Sequence, residues 1–213
     1  MKNFKGAIFD LDGTVLDSMG LWHKVDVAFF ENRKMEIPEG YIQAISPLGT
    51  YNAAVYTKET YNIKESVEEI IAEWGEIAKN EYSKHVTLKP GAKEYLLRLK
   101  EKGVRLSVAT ASDKELFEGC LKKYGIFDLF DFFVTVNEIG KGKSSPDIYL
   151  AAAEKMGVRK EECAVFEDIL TALKTAKDAG FYCVGMYDRS SEKDREEIKK
   201  ISDKFIFDFN EME

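Results

Sequence analysis

Apolar residues run along this chain in two rhythms. From residue 86 onward, short strand-like runs appear at VRLSVAT (104–110), DFFVTV (131–136), CAVFED (163–168), YCVGMY (182–187) and KFIFD (204–208). Between most of them lie segments of helical period: GAKEYLLRLKEKG (91–103), DKELFEGCLKKYG (113–125), SPDIYLAAAEKMG (145–157) and ILTALKTAKDAG (169–180). Each of these four closes on a glycine, a usual helix stop. One further apolar run, KGAIF (5–9), stands near the start. Near-continuous apolar strands alternating with helices predict a parallel sheet covered on both faces.

Residues 17 to 85 carry helical periods without strands. The segments are DSMGLWHKVDVAFFENRK, PEGYIQAIS, TYNAAVYTKETYN and KESVEEIIAEWGEIAKNEYSK. The last places Val67, Ile70, Ile71, Trp74 and Ile77 three and four apart, with charges elsewhere. The expected fold is therefore α/β. Residues 1–16 and 86–213 form a doubly wound, Rossmann-like parallel sheet, and a helical bundle, residues 17–85, is inserted after the first strand. Phe29, Phe30 and Trp74 read as core of that bundle, His23 and His85 as structural or surface residues.

Composition narrows the function. With 213 residues, 45% of them hydrophobic, the chain can bury a sizeable core. A net charge of -7 and a pI near 5.2 speak against a nucleic-acid partner. Cys120, Cys163 and Cys183 form no CxxC pair, which suits a reducing cytoplasm rather than a disulfide or zinc framework. The first residues are too short and too charged for a signal peptide. No apolar run approaches the ~18 residues of a membrane span. The expected location is cytoplasmic, the expected state a monomer or weak dimer.

The candidate chemistry sits at strand ends. In FDLDGTVLDS (9–18), Asp10 and Asp12 are two apart, a spacing that puts both on one side of a strand. They could converge beyond its carboxyl end, where open α/β sheets place ligands. Thr110-Ala111-Ser112 and Glu167-Asp168 end two later strands, and Lys141 and Lys143 follow a third. Clustered carboxylates repel unless a cation lies among them, and hard oxygen ligands suit Mg²⁺. One carboxylate can act as nucleophile and a second as general acid and base. A hydroxyl, a lysine and backbone N–H groups can hold a phosphoryl group.

In this order, DLDGTVLDS, VATAS, GKSSPDIYL and VFED resemble the four motifs of the haloacid dehalogenase (HAD) superfamily. The helical insert resembles the cap of the β-phosphoglucomutase and phosphoglycolate-phosphatase-like subfamily. The resemblance implies Asp10 as nucleophile and Mg²⁺ ligand. It implies Asp12 as general acid/base, with its main-chain carbonyl on the metal. Thr110 and the Ala111 N–H would bind phosphate, and Lys143 would bridge Asp10 and phosphate. Asp168 would bind the metal, with Glu167 close by. Two motifs depart from the family pattern. Ile169 and Ala172 replace a serine and a glycine of EDSxxG, and Ser144 replaces a proline beside Lys143, leaving Lys141 as a second candidate lysine.

Because Asp12 is present, the resemblance implies phosphoryl transfer. The expected function is a Mg²⁺-dependent phosphatase acting on a small phosphomonoester, a sugar phosphate or similar, through an aspartyl-phosphate. A β-phosphoglucomutase-type mutase is the alternative, but ISPLGTYNAA carries Tyr51 near where the mutases place an arginine. A phosphorylation switch or a non-catalytic binding protein fits less well, since the DxD pair lies on the first strand and both acids are retained. Leaving-group contacts are expected from Ser18, Trp22, Leu48 and Tyr51, with hinges at Asp17-Ser18 and residues 83–90.

Overall fold

The computed structural model of the chain describes residues 4–45, 48 and 50–212. Its strands are β1 (Gly6–Phe9), β2 (Leu16–Asp17), β3 (Thr87–Leu88), β4 (Arg105–Thr110), β5 (Phe132–Thr135), β6 (Cys163–Glu167), β7 (Tyr182–Met186) and β8 (Lys204–Ile206). Its α-helices are α1 (Met19–Glu31), α2 (Tyr41–Ile45), α3 (Thr50–Tyr61), α4 (Val67–His85), α5 (Ala92–Glu101), α6 (Lys114–Lys123), α7 (Val136–Ile139), α8 (Asp147–Met156), α9 (Leu170–Asp178) and α10 (Arg195–Ile201). The described chain falls into two compact units, residues 1–19 with 86–213, and Gly20–His85.

In the first unit six strands form one sheet in the order β5-β4-β1-β6-β7-β8, each neighbouring pair parallel. Counted within that sheet the order is 3-2-1-4-5-6, the doubly wound arrangement, whose switch point falls between β1 and β6. The α/β, Rossmann-like core expected from the apolar rhythm is thus present. Phe9 pairs in register with Val108 on one side and Phe166 on the other, so β1, β4 and β6 stay level toward their carboxyl ends. Alternation along β1 feeds both faces of the sheet. Phe9 stacks on Phe166 at 4.4 Å and meets Tyr95 and Phe209. Ile8 joins Tyr149, Met156, Val165 and Leu173 in a separate buried cluster. Each such fully buried side chain contributes roughly 1.5–3 kcal/mol relative to exposure.

Some short elements lie below the resolution of the pattern. β2 and β3 pair antiparallel, Leu16 with Leu88 and Asp17 with Thr87. Each of the two expected hinge segments therefore contains paired backbone. DFFVTV ends as a strand at Thr135, whose hydroxyl accepts from the Glu138 N–H at 3.2 Å and caps α7, a helix within what reads as loop.

The second unit consists of α2, α3, α4 and α1 from Gly20 on. Phe29 packs edge-on to Trp74 at 5.5 Å, and Phe30 meets Tyr41 at 4.8 Å. Ser66 and Glu69 exchange hydrogen bonds at 2.8 and 3.1 Å, a reciprocal capping box that starts α4. Arg33 lies on the Phe29 ring and pairs with Glu65 at 2.8 Å and Glu73 at 2.6 Å. No described helix is long and apolar enough to cross a membrane.

Asp26 is the anomaly of this unit. It is buried on α1 and makes no hydrogen bond among the described residues, and burial pushes its pKa up to about 7. A carboxyl whose folded pKa is raised favours the folded state at low pH, and that contribution disappears as pH rises through the folded value. Asp26→Asn should therefore stabilise the protein at pH 8 by about 1–2 kcal/mol and do little at pH 4. Urea unfolding at the two pH values checks this. Equal shifts at both would remove charge as the cause.

Candidate active site

The site is built at the carboxyl ends of β1, β4 and β6. Asp10 directly follows β1, and its N–H still donates to the Phe166 carbonyl at 3.0 Å, so the sheet ladder fixes it. The chain then turns tightly. The N–H groups of Thr14, Val15 and Leu16 all donate to the Leu11 carbonyl, at 3.2, 2.9 and 2.8 Å. Gly13 sits at φ 80°, a left-handed conformation that other residues rarely adopt. A Cβ there would also collide with the Asp168 carboxylate, so this glycine serves both the turn and the approach of the acid.

Asp10, Glu167 and Asp168 are all buried, and one oxygen from each lies within 4.8 Å of the others. Lys143, from the turn before α8, donates to Asp10 Oδ1 and, at 2.7 Å, to Glu167 Oε1. The Tyr149 hydroxyl donates to the same Glu167 Oε1 at 2.7 Å. Thr14 Oγ1 donates to Asp168 Oδ1 at 3.1 Å. The other oxygens, Glu167 Oε2 and Asp168 Oδ2, are buried without a hydrogen-bond partner among the described residues.

The electrostatics follow from this crowding. Burial pushes the Asp10 pKa up to about 8, against the attraction of Lys143 and with the repulsion of Glu167 and Asp12. Burial, then Asp10 and Glu167, hold Asp168 well above the carboxylate range. Burial disfavours charge on Lys143 too, but the Asp10 and Glu167 carboxylates outweigh it and keep the ammonium protonated. Burial and the Glu167 charge likewise hold the Tyr149 phenol protonated. One ammonium does not balance three carboxyls. An orphaned buried oxygen costs roughly 1–3 kcal/mol, and there are two. All-oxygen donors with unspent lone pairs fit a hard divalent cation.

Asp12 lies near enough to this cluster for its charge to act on Asp10. Ser18 Oγ and Ser112 Oγ each donate to Asp12 at 2.5 Å, one to each carboxylate oxygen. β1 ends at Phe9, so Asp12 belongs to the turn, and its charge still reaches Asp10 and helps raise the Asp10 pKa. Thr110 ends β4 fully buried, and its Oγ1 accepts from the Ser112 N–H at 3.0 Å, so its hydroxyl proton is free to donate elsewhere. Ala111 follows in an exposed turn.

The remaining candidates are placed as follows. Ser18 is buried, its hydroxyl engaged by Asp12. Trp22 and Tyr51 are exposed residues of the helical unit, as is Leu48, while Ser46, Pro47 and Gly49 of the expected loop lie outside the described residues. Lys141 pairs with Asp147 at 3.0 Å on the surface, so Lys143 is the lysine that meets the acids. Ile169 is exposed beside Asp168, and Ala172 is buried in α9, where its methyl fits. Thr14, Ser112 and Tyr149 are the partners that sequence reasoning misses as such. Only the position of Ser112 beside Thr110 hints at a role.

A family model described as haloacid dehalogenase-like hydrolase matches residues 4–180. The YhcW protein of Bacillus subtilis (strain 168) is 30% identical over 184 residues, covering 84% of this chain and 82% of its own. The phosphorylated carbohydrates phosphatase of Thermotoga maritima is 27% identical over 176 residues, covering 83% and 82%. Among solved structures, CbbY from Rhodobacter sphaeroides in complex with phosphate superposes with a TM-score of 0.82 at 22% identity, covering 98% of this chain and 96% of that one. The chain belongs to the haloacid dehalogenase-like hydrolase family, and within it is a phosphohydrolase.

Proposed function

We propose that this protein is a Mg²⁺-dependent phosphatase that hydrolyses a small phosphomonoester, a sugar phosphate or a similar compound, through an aspartyl-phosphate. The observation that carries the reading is the buried trio Asp10, Glu167 and Asp168, of which one lysine bonds Asp10 and Glu167, with two oxygens unpartnered. Asp10, Glu167 and Asp168 would hold Mg²⁺, together with the Asp12 carbonyl. The cation, when bound, offsets the crowded carboxylates and the charge of the phosphoryl oxygens.

The residues divide the work. Asp10, oriented by Lys143, attacks phosphorus. The ester bond breaks, and Asp12 in its acid form gives its proton to the leaving alkoxide. Asp12 then takes a proton from water, whose oxygen attacks phosphorus, releasing inorganic phosphate and the Asp10 carboxylate. Thr110, the Ala111 N–H and Lys143 hold the phosphoryl oxygens. Ser18 and Ser112 fix the Asp12 carboxylate between the two proton transfers. Three buried, unpaired cysteines accord with a cytoplasmic setting.

The test is phosphate release from a panel of hexose phosphates, phosphoglycolate, nucleotides and pyridoxal phosphate, with Mg²⁺ or with chelator. Chelation is expected to lower release by roughly 10²-fold or more. Isomerisation of β-glucose 1-phosphate without release would make the protein a mutase. Equal release in chelator would remove the metal from the proposal.

A further inference from the structure

Each of the two unpartnered oxygens belongs to a carboxylate whose other oxygen is held from behind. For Asp168 the holder is Thr14, from the same turn as Gly13. For Glu167 it is a helix on one face of the sheet. Tyr149, fully buried in α8, reaches Glu167 Oε1 at 2.7 Å, and Lys143 reaches the same atom at 2.7 Å. Two donors on one oxygen leave Oε2 with none. Lys143 also serves Asp10, and at 12% side-chain exposure it borders the site. The Tyr149 hydroxyl has no such second duty: Glu167 is its only hydrogen-bond partner among the described residues.

We propose that Tyr149 is a positioning residue for the metal-binding carboxylate: its hydroxyl fixes Glu167 Oε1 and so turns the unpartnered Oε2 toward the cation. The inference rests on the Mg²⁺ reading above. A carboxylate on a two-carbon arm has several rotamers, and a fixed oxygen selects one before the cation arrives. Groups that orient metal ligands in this way affect affinity by roughly 10–100-fold. The phenol does this without adding charge to a site that already holds three acids.

The test is Mg²⁺ binding by titration calorimetry to metal-free wild type, Tyr149→Phe, Glu167→Gln and the double variant, with Tm in chelator for each. Tyr149→Phe removes one oxygen and keeps the ring against Phe181, 6.2 Å away between centroids, so the fold is retained. The expected result is a Kd about tenfold weaker in Tyr149→Phe. In the Glu167→Gln background the same change should alter Kd by less than about twofold, since the effect passes through that carboxylate. A role in packing alone would lower Tm and leave the two backgrounds alike. An unchanged Kd in Tyr149→Phe, or equal losses in both backgrounds, overturns the inference and leaves the Mg²⁺ phosphatase standing. Wild type with no saturable Mg²⁺ binding overturns both.

Discussion

Asp10→Asn is expected to lower phosphate release by roughly 10³-fold or more while the protein stays folded. The amide is isosteric with the carboxylate, so the Phe166 carbonyl still receives the backbone N–H and the Lys143 ammonium still finds an oxygen. What disappears is the nucleophile. The variant carries a second, less obvious signature. Asp10 is one of three buried acids that share one lysine, and its neutralisation relieves repulsion rather than adding it. In chelator, Asp10→Asn should therefore unfold no earlier than wild type. Phosphate release and thermal unfolding, measured on the same preparation, separate the cases. Turnover near the wild-type level would show that another residue attacks phosphorus. A collapsed Tm would show that Asp10 is needed for folding, and the kinetic loss would then lose its meaning.

Lys143→Met is expected to damage both stability and turnover. The ammonium is bonded to Asp10 and Glu167, and its removal leaves buried carboxylates without their counter-charge. Breaking a buried pair on one side costs about 3–5 kcal/mol. The sign of its pH dependence follows from the acids left behind. Burial raises the pKa of Asp10 and Asp168, so these groups favour folding when protonated and oppose it once pH passes their folded values. The deficit of Lys143→Met should thus be large at pH 8 and smaller at pH 5, as urea unfolding in chelator can measure. Turnover should fall by roughly 10²-fold or more, because the same ammonium orients the nucleophile and faces the phosphoryl charge. An equal loss of stability at both pH values would mean that packing of the lysine stem, not charge, is what the variant removes.

The large elements were legible because burial writes them into the composition of each segment. CAVF and GAIF are apolar throughout since both faces of β1 and β6 are covered. The acids were legible for the complementary reason. Glu167 and Asp168 break an apolar run at its carboxyl end, where a buried charge has no structural purpose of its own. Elements of two residues, such as β2 and β3, contain too few positions to show a period.

Other features depend on partners distant in sequence. Tyr149 stands in a helix among Ile148, Ala152 and Ala153 and reads as core, which it also is. Nothing local marks the one polar atom that reaches Glu167. Asp26 is a charged residue in a helical segment, and nothing in the local pattern marks it as buried. The two serines that hold Asp12 are likewise unmarked, Ser18 six residues on and Ser112 a hundred.

The position of β1 bears on how this chain comes into being. It precedes every other strand of the sheet along the chain, yet it belongs at the centre. Its partners begin at Arg105 on one side and Cys163 on the other. During synthesis GAIF is thus an apolar strand with two open edges until the segments at Arg105 and Cys163 follow, and such edges invite pairing with other chains. Asp10 cannot be seated until β6 arrives, because the carbonyl that receives its N–H belongs to Phe166. The nascent protein is therefore without its nucleophile until the fourth strand of the sheet has been added, and loss of the segment from Cys163 onward removes the reaction along with the fold.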